Sequence, residues 1–226
     1  EDTQLLNENG VVTLEIPSAN SLDELWQAYR DIAIAIEGKE NGADMGDDFV
    51  DELSSWFNKL KEAGNQQEPA LVEYLTLLDF NMATGDTLVG ELLREVGYKN
   101  IAEDYTDWLY PKDEAESPEG REQFKALDHY FFDGQAVSMK MLEKSEFYKG
   151  LPATINDRFL IIDYSTFEHQ GLRMFKQLLE MLEYSYPEGN FPSWGFGAAD
   201  TPASSSGEDS GEELLDENMD EQEQPN

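Results

Sequence analysis

The chain has 226 residues, and 49 Asp and Glu against 15 Lys and Arg give it a net charge of −34 at pH 7. Hydrophobic residues make up 39% and aromatics 12%, enough to build a core, so a wholly disordered chain is excluded. The absence of Cys excludes disulfides, thiol nucleophiles and Cys-ligated zinc, and no run reaches the roughly 18 consecutive apolar residues of a membrane span.

The first apolar run, Val11 to Ile16, is β-branched and bounded by Gly10 and Pro17, which predicts a short strand. Ser21 and Glu24 form a capping box. The helix after it places Leu22, Leu25, Trp26, Tyr29, Ile32 and Ile36 on one face and should stop at Gly38. After a Gly/Asn/Asp-rich loop, a second helix is expected from about Asp47, with Phe49, Leu53, Trp56, Phe57 and Leu60 inward and Gly64 at its end. A third is expected over 68–81, with Leu71, Tyr74, Leu75 and Leu78 as its stripe, and a fourth over 86–96, closed by Gly97.

Ser117 and Pro118 read as an N-cap followed by Pro at the first helical position, with Phe124, Leu127, Tyr130 and Phe131 as that helix's apolar side. A further helix is expected over 134–148. The run Arg158 to Tyr164 has the length and continuous apolarity of a strand buried on both faces. Ser165 or Thr166 should cap a last helix whose stripe is Leu172, Phe175, Leu179 and Leu182. Residues 190–200 are irregular, with Phe191, Trp194 and Phe196 able to fold back over the core. The expected fold is therefore mostly α (α+β), with about seven helices packed around a small two-stranded sheet. The expected organisation is a flexible segment 1–9, a single α-rich domain 10–198 and a disordered acidic tail 199–226.

Nine acids and no base fall in residues 201–226, which leaves a net charge of −25 on the first 200 residues. The tail alone does not account for the acidity. Such a surplus repels nucleic acid and anionic membranes, so neither is an expected direct partner. Two acidic clusters stand out. Asp47, Asp48, Asp51 and Glu52 share one helix, where first-turn acids would complement the helix dipole or face a partner. Glu103, Asp104 and Asp107 lie beside Tyr105 and Trp108, and acids around aromatic anchors suit an interface with a basic protein.

Residues 41–52 lack the ligand register of a calcium loop, and no metal or cofactor is expected. His129 and His169 sit in no metal or catalytic spacing and read as structural. Neither a phosphate-binding glycine loop nor a nucleophile elbow is present. The chain is therefore not expected to be an enzyme. Asp163, at the carboxyl end of the apolar strand, has the address of a small-molecule site in an α/β sheet, but a sheet of two strands gives that address little meaning.

The charge pattern is similar to that of nuclease-inhibiting immunity proteins and DNA mimics. The reading that follows is a cytoplasmic acidic protein that masks or inhibits a basic partner, such as a nuclease. Its contact residues would be Asp47, Asp48, Asp51, Glu52, Glu103, Asp104, Asp107 and Trp108. The alternative is a chaperone or assembly adaptor for a basic protein that uses the tail, Glu208 to Glu223, as a mobile arm. A cleaved signal peptide is left open by a chain that does not begin with Met.

Overall fold

The computed structural model describes residues 6, 8–76, 81–107, 118–134, 144–145, 147–163 and 166–196. Residues Glu1–Trp194 form one compact unit, and Gly195–Asn226 a separate one. In chain order the elements are α1 (Leu22–Glu37), α2 (Lys39–Gly64), β1 (Leu71–Thr76), β2 (Asn81–Met82), α3 (Leu88–Glu95), β3 (Lys99–Asn100), α4 (Pro118–Lys125) and β4 (His129–Gly134). A 3-10 turn (Tyr148–Gly150), α5 (Pro152–Ile155), β5 (Phe159–Asp163) and α6 (Leu172–Ser185) follow.

Among the described residues the sheet has five strands, in the order β2-β1-β4-β5, with β3 also paired to β1. β1, β4 and β5 run parallel, with Val72 opposite His129 and Tyr130 opposite Phe159. β3 is parallel to the first half of β1, and β2 is antiparallel to its end. The two-stranded sheet expected from the sequence is thus replaced by a five-stranded, mostly parallel one.

Side chains alternate across the sheet. Leu75, Tyr130, Phe132 and Phe159 point to one face, where Phe124 of α4, Tyr148 and Ala153 of α5 cover them. The opposite face carries Tyr74, His129 and Phe131. Tyr74 meets Phe167 edge-on at 5.1 Å, and His129 meets Tyr184 of α6 at 5.5 Å. Phe175 of α6 is fully buried, stacked on Trp26 of α1 at 5.4 Å and edge-on to Phe57 of α2 at 5.5 Å. Burying a side chain of this size contributes about 1.5–3 kcal/mol. Leu22 N donates to Glu91 of α3 (2.9 Å) and Lys61 pairs with Glu95, which places α3 beside α1 and α2. The sheet therefore lies between two helical layers.

Ser21 caps α1, its hydroxyl accepting from Glu24 N. Gly38, at φ +81°, ends α1, but the loop expected before Asp47 is helical. α2 starts at Lys39, and Gly42 and Gly46 face α1. A Cβ at Gly42 would stand 2.5 Å from the Ala33 carbonyl oxygen, and one at Gly46 would stand 3.0 Å from Arg30 Cα. Glycines that suggest a loop in sequence are here the contact that lets two helices approach.

Five more expectations are corrected. Val11–Ile16 forms no strand and pairs with no described strand, and Val12 is 95% and Leu14 55% exposed. The helix expected over 68–81 is β1 and β2, and Tyr130 and Phe131 belong to β4 instead of a helix. β5 lies at the sheet edge, with Ile161 38% exposed, so it is not buried on both faces. α6 begins at Leu172 with Gly171 as N-cap, later than Ser165 or Thr166. The helix expected over 134–148 lies mostly outside the described residues. Trp194 does fold back, packing edge-on against Trp56 at 4.9 Å, while Trp56 Nε1 donates to Ser193 O (3.0 Å).

Candidate functional site

The three parallel strands end side by side. Thr76 is opposite Asp133, and Gly134 is opposite Asp163. From β1 the chain turns back through β2 and reaches β3 on one flank. From β4 it crosses to β5 on the other. The helix that follows β2 and the helices that precede and follow β4 accordingly lie in opposite layers. The carboxyl ends of β1 and β4 therefore form a topological switch point at the carboxyl edge of the sheet. Asn81, half-buried opposite Thr76, and Asp163, exposed at the end of β5, border this edge. Asp163 O accepts from Thr166 N (3.2 Å), which starts the turn toward α6.

That turn is tied to the segment leading into α1. Gln170, at φ +47°, accepts from Ala19 N and donates to Ala19 O, both at 2.7 Å, while its own carbonyl accepts from Tyr29 OH (2.7 Å). Burial pushes the Tyr29 hydroxyl pKa up to about 12, so it remains a donor at neutral pH.

On the other flank, a corner fixes the start of α3. Thr87 caps the helix, accepting from Gly90 N (3.0 Å) and donating to Thr84 O (2.8 Å). Buried Asn100 bridges Ala83 O (2.8 Å) and Ala102 N (3.1 Å). Asp86 accepts from Thr84 Oγ1 (2.6 Å) and from Asp107 N (3.1 Å), and its carboxyl pKa is lowered chiefly by the Thr84 bond.

The expected contact residues fall on two different elements. Asp47, Asp48, Asp51 and Glu52 are exposed in the middle of α2, not in its first turn, so dipole complementarity does not explain them. Asp47 is held by Arg30 of α1 (2.6 Å). Glu103, Asp104 and Asp107 lie in the turn after β3. There Glu103 pairs with Arg94 (2.6 Å), which also donates to Gly85 O (3.2 Å). Asp107 adopts φ +62°, and Asp104 is exposed. Trp108 lies outside the described residues. Among the described residues, no three His, Asp or Glu converge as a metal site would require, and no helix is long and apolar enough to cross a membrane.

The sequence reading gave the switch point itself no weight, because its two central strands were read as helical. Asp163 alone carried a signal for it.

No family's sequence profile matches the chain. An uncharacterised ABC transporter substrate-binding lipoprotein of Bacillus subtilis is 23% identical over 189 residues, covering 81% of this chain and 56% of the relative. The chain thus spans little more than half the length of that protein. The periplasmic heme-binding protein HutB of Vibrio cholerae superposes with a TM-score of 0.66 at 20% identity, covering 83% of this chain and 73% of that one. A possible iron-binding, periplasmic solute-binding protein of Staphylococcus epidermidis gives 0.64 at 19% identity, over 81% and 69%.

These matches overturn the reading of a DNA-mimic, immunity-like or chaperone protein directed at a basic partner. That reading rested on charge, and charge does not specify a fold. The proteins that share this fold are described as binders of small solutes. The expectation of a non-enzymatic protein stands, since these relatives are substrate-binding proteins. On location, the relatives are a lipoprotein and periplasmic proteins, which agrees with the cleaved signal peptide left open by the sequence and not with a purely cytoplasmic location. The mostly helical fold class is replaced as well: the chain has the α/β fold shared by periplasmic solute-binding proteins.

Proposed function

We propose that the chain is the solute-holding part of an ABC transporter substrate-binding protein that works outside the cytoplasm. The observation that carries this reading is the switch point between β1 and β4, set in a fold that matches a periplasmic heme-binding protein over 83% of the chain. Asp163 and Asn81 border the ligand. The ligand class follows the relatives: heme or a ferric complex, held as cargo and released unchanged to a permease. No covalent step is required of any residue. The single domain spans residues 10–198, with the termini outside it.

Titration of the purified chain with hemin and with ferric siderophore complexes tests the reading, followed by tryptophan fluorescence and by thermal shift. Saturable one-to-one binding by either ligand, weakened by changes at Asp163 or Asn81, is the expected result. No saturable signal with any of them would reject it. Cell fractionation checks the location, and limited proteolysis checks the boundaries near residues 10 and 198.

A further inference from the structure

Away from the carboxyl edge, Glu73 sits in the middle of β1 with none of its surface exposed. Its side chain points to the same face as Leu75 and the paired Tyr130, into the apolar layer under α4, the 3-10 turn and α5. Oε1 accepts from Tyr148 OH (2.8 Å), and Oε2 is buried without a partner. The carbonyl of Tyr148 in turn accepts from Thr154 Oγ1 of α5 (2.5 Å), and that hydroxyl also bonds Tyr130 OH of β4. One polar chain therefore links β1, β4, the 3-10 turn and α5 through an otherwise apolar layer.

The titratable groups facing this chain are the Tyr148 and Tyr130 hydroxyls, with Arg158 before β5 acting on Tyr130. α4 contributes Phe124, and its Glu122 and Lys125 pair with each other on the exposed side (2.7 Å). No cation pairs with Glu73 among the described residues.

We propose that Glu73 is a proton-dependent latch: neutral, it holds the 3-10 turn and α5 against β1, and on losing its proton it releases them. A carboxylate in this layer would carry a charge with one oxygen unpaired, and such a group lowers its energy by admitting water. β1 is hydrogen-bonded on both sides and cannot move cheaply. The 3-10 turn and α5, three and four residues long, are the weakest cover and open first. The device is independent of what the carboxyl edge binds.

Hydrogen exchange of the full chain, followed by mass spectrometry between pH 6 and 9.5 and corrected for intrinsic rates, tests this. Amides of residues 148–155 should lose protection by about tenfold or more as pH rises, while β1 keeps its own. Glu73→Gln keeps an acceptor for Tyr148 but cannot ionise, and should lose less than about threefold. An equal loss in that variant, or a wild-type segment that stays protected, overturns the latch. Tyr148→Phe removes the donor that favours the ionised form. It should therefore move the midpoint of the loss to higher pH, and a midpoint that stays or falls also counts against the proposal. This second variant carries the test if Glu73→Gln does not fold.

Discussion

Gln170 and Ala19 are joined by two hydrogen bonds of 2.7 Å, the side-chain amide of one matching the backbone N–H and C=O of the other across 151 residues of sequence. Ala19 is 5% exposed, so water does not readily replace either bond. The pair closes the entry to α1 onto the turn that leaves β5. Gln170→Ala should lower stability by about 1–3 kcal/mol, because two buried backbone groups lose their partners. Gln170→Glu keeps the acceptor but loses the donor, and should recover part of the loss. Urea denaturation of the three proteins checks the order.

The global pH dependence follows from Glu73. Burial pushes its pKa up to about 8, against the pull of the Tyr148 hydrogen bond. The unfolded value is about 4.3. Between these two values the folded state holds a proton that the unfolded state has lost, so unfolding free energy falls as pH rises through the window and levels off above about 8. The difference between wild type and Glu73→Gln should shift by several kcal/mol in favour of the variant between pH 5 and pH 9. Denaturant midpoints at pH 5, 7 and 9 measure it.

Gly64 ends α2 against the turn that follows α3. A Cβ there would stand 2.2 Å from the Val96 carbonyl oxygen, and neighbouring Gly97 holds φ +92°. The close atoms, Val96 O and C, are backbone and do not yield as a side chain would. Gly64→Ala should cost about 1–3 kcal/mol or more, as other overpacked sites do. Thermal denaturation followed by circular dichroism reads the loss.

Asn100 and Arg94 brace the same corner with unequal force. Asn100 is 7% exposed and bonds two backbone groups, so Asn100→Ala should cost about 1–3 kcal/mol. The Arg94–Glu103 pair is half exposed, with side chains at 47% and 35%, and Arg94→Ala should cost less than about 1 kcal/mol. Raising salt from 0.05 to about 0.5 M should weaken only the second effect. A larger loss at Arg94 than at Asn100 would contradict the assignment.

The elements whose signals are local were legible in the sequence. Ser21 with Glu24 marked the start of α1, Leu88 to Leu93 the stripe of α3, and Leu172 to Leu182 that of α6, because caps and 3.6-residue periodicity act within a few residues. The apolar run of β5 was equally plain. β1 was not: Leu71, Tyr74 and Leu75 suit a helical stripe as well as a strand, and only the ladders to β2, β3 and β4 decide between them. Val11–Ile16 shows the converse, strong β-propensity with no described strand to pair with, since strand formation depends on partners more than on the segment itself.

By itself the sequence determined the Ser21 cap, the apolar faces of α1, α3 and α6 and the net charge of −34, and charge led toward a basic partner that the fold does not support. The tertiary structure decided the rest. Three parallel strands set their ends at Thr76, Gly134 and Asp163 in one row, and residues more than 50 positions apart meet there only after the ladders form. The candidate site is a property of strand order, and strand order is set by hydrogen bonds between segments that carry no local record of one another.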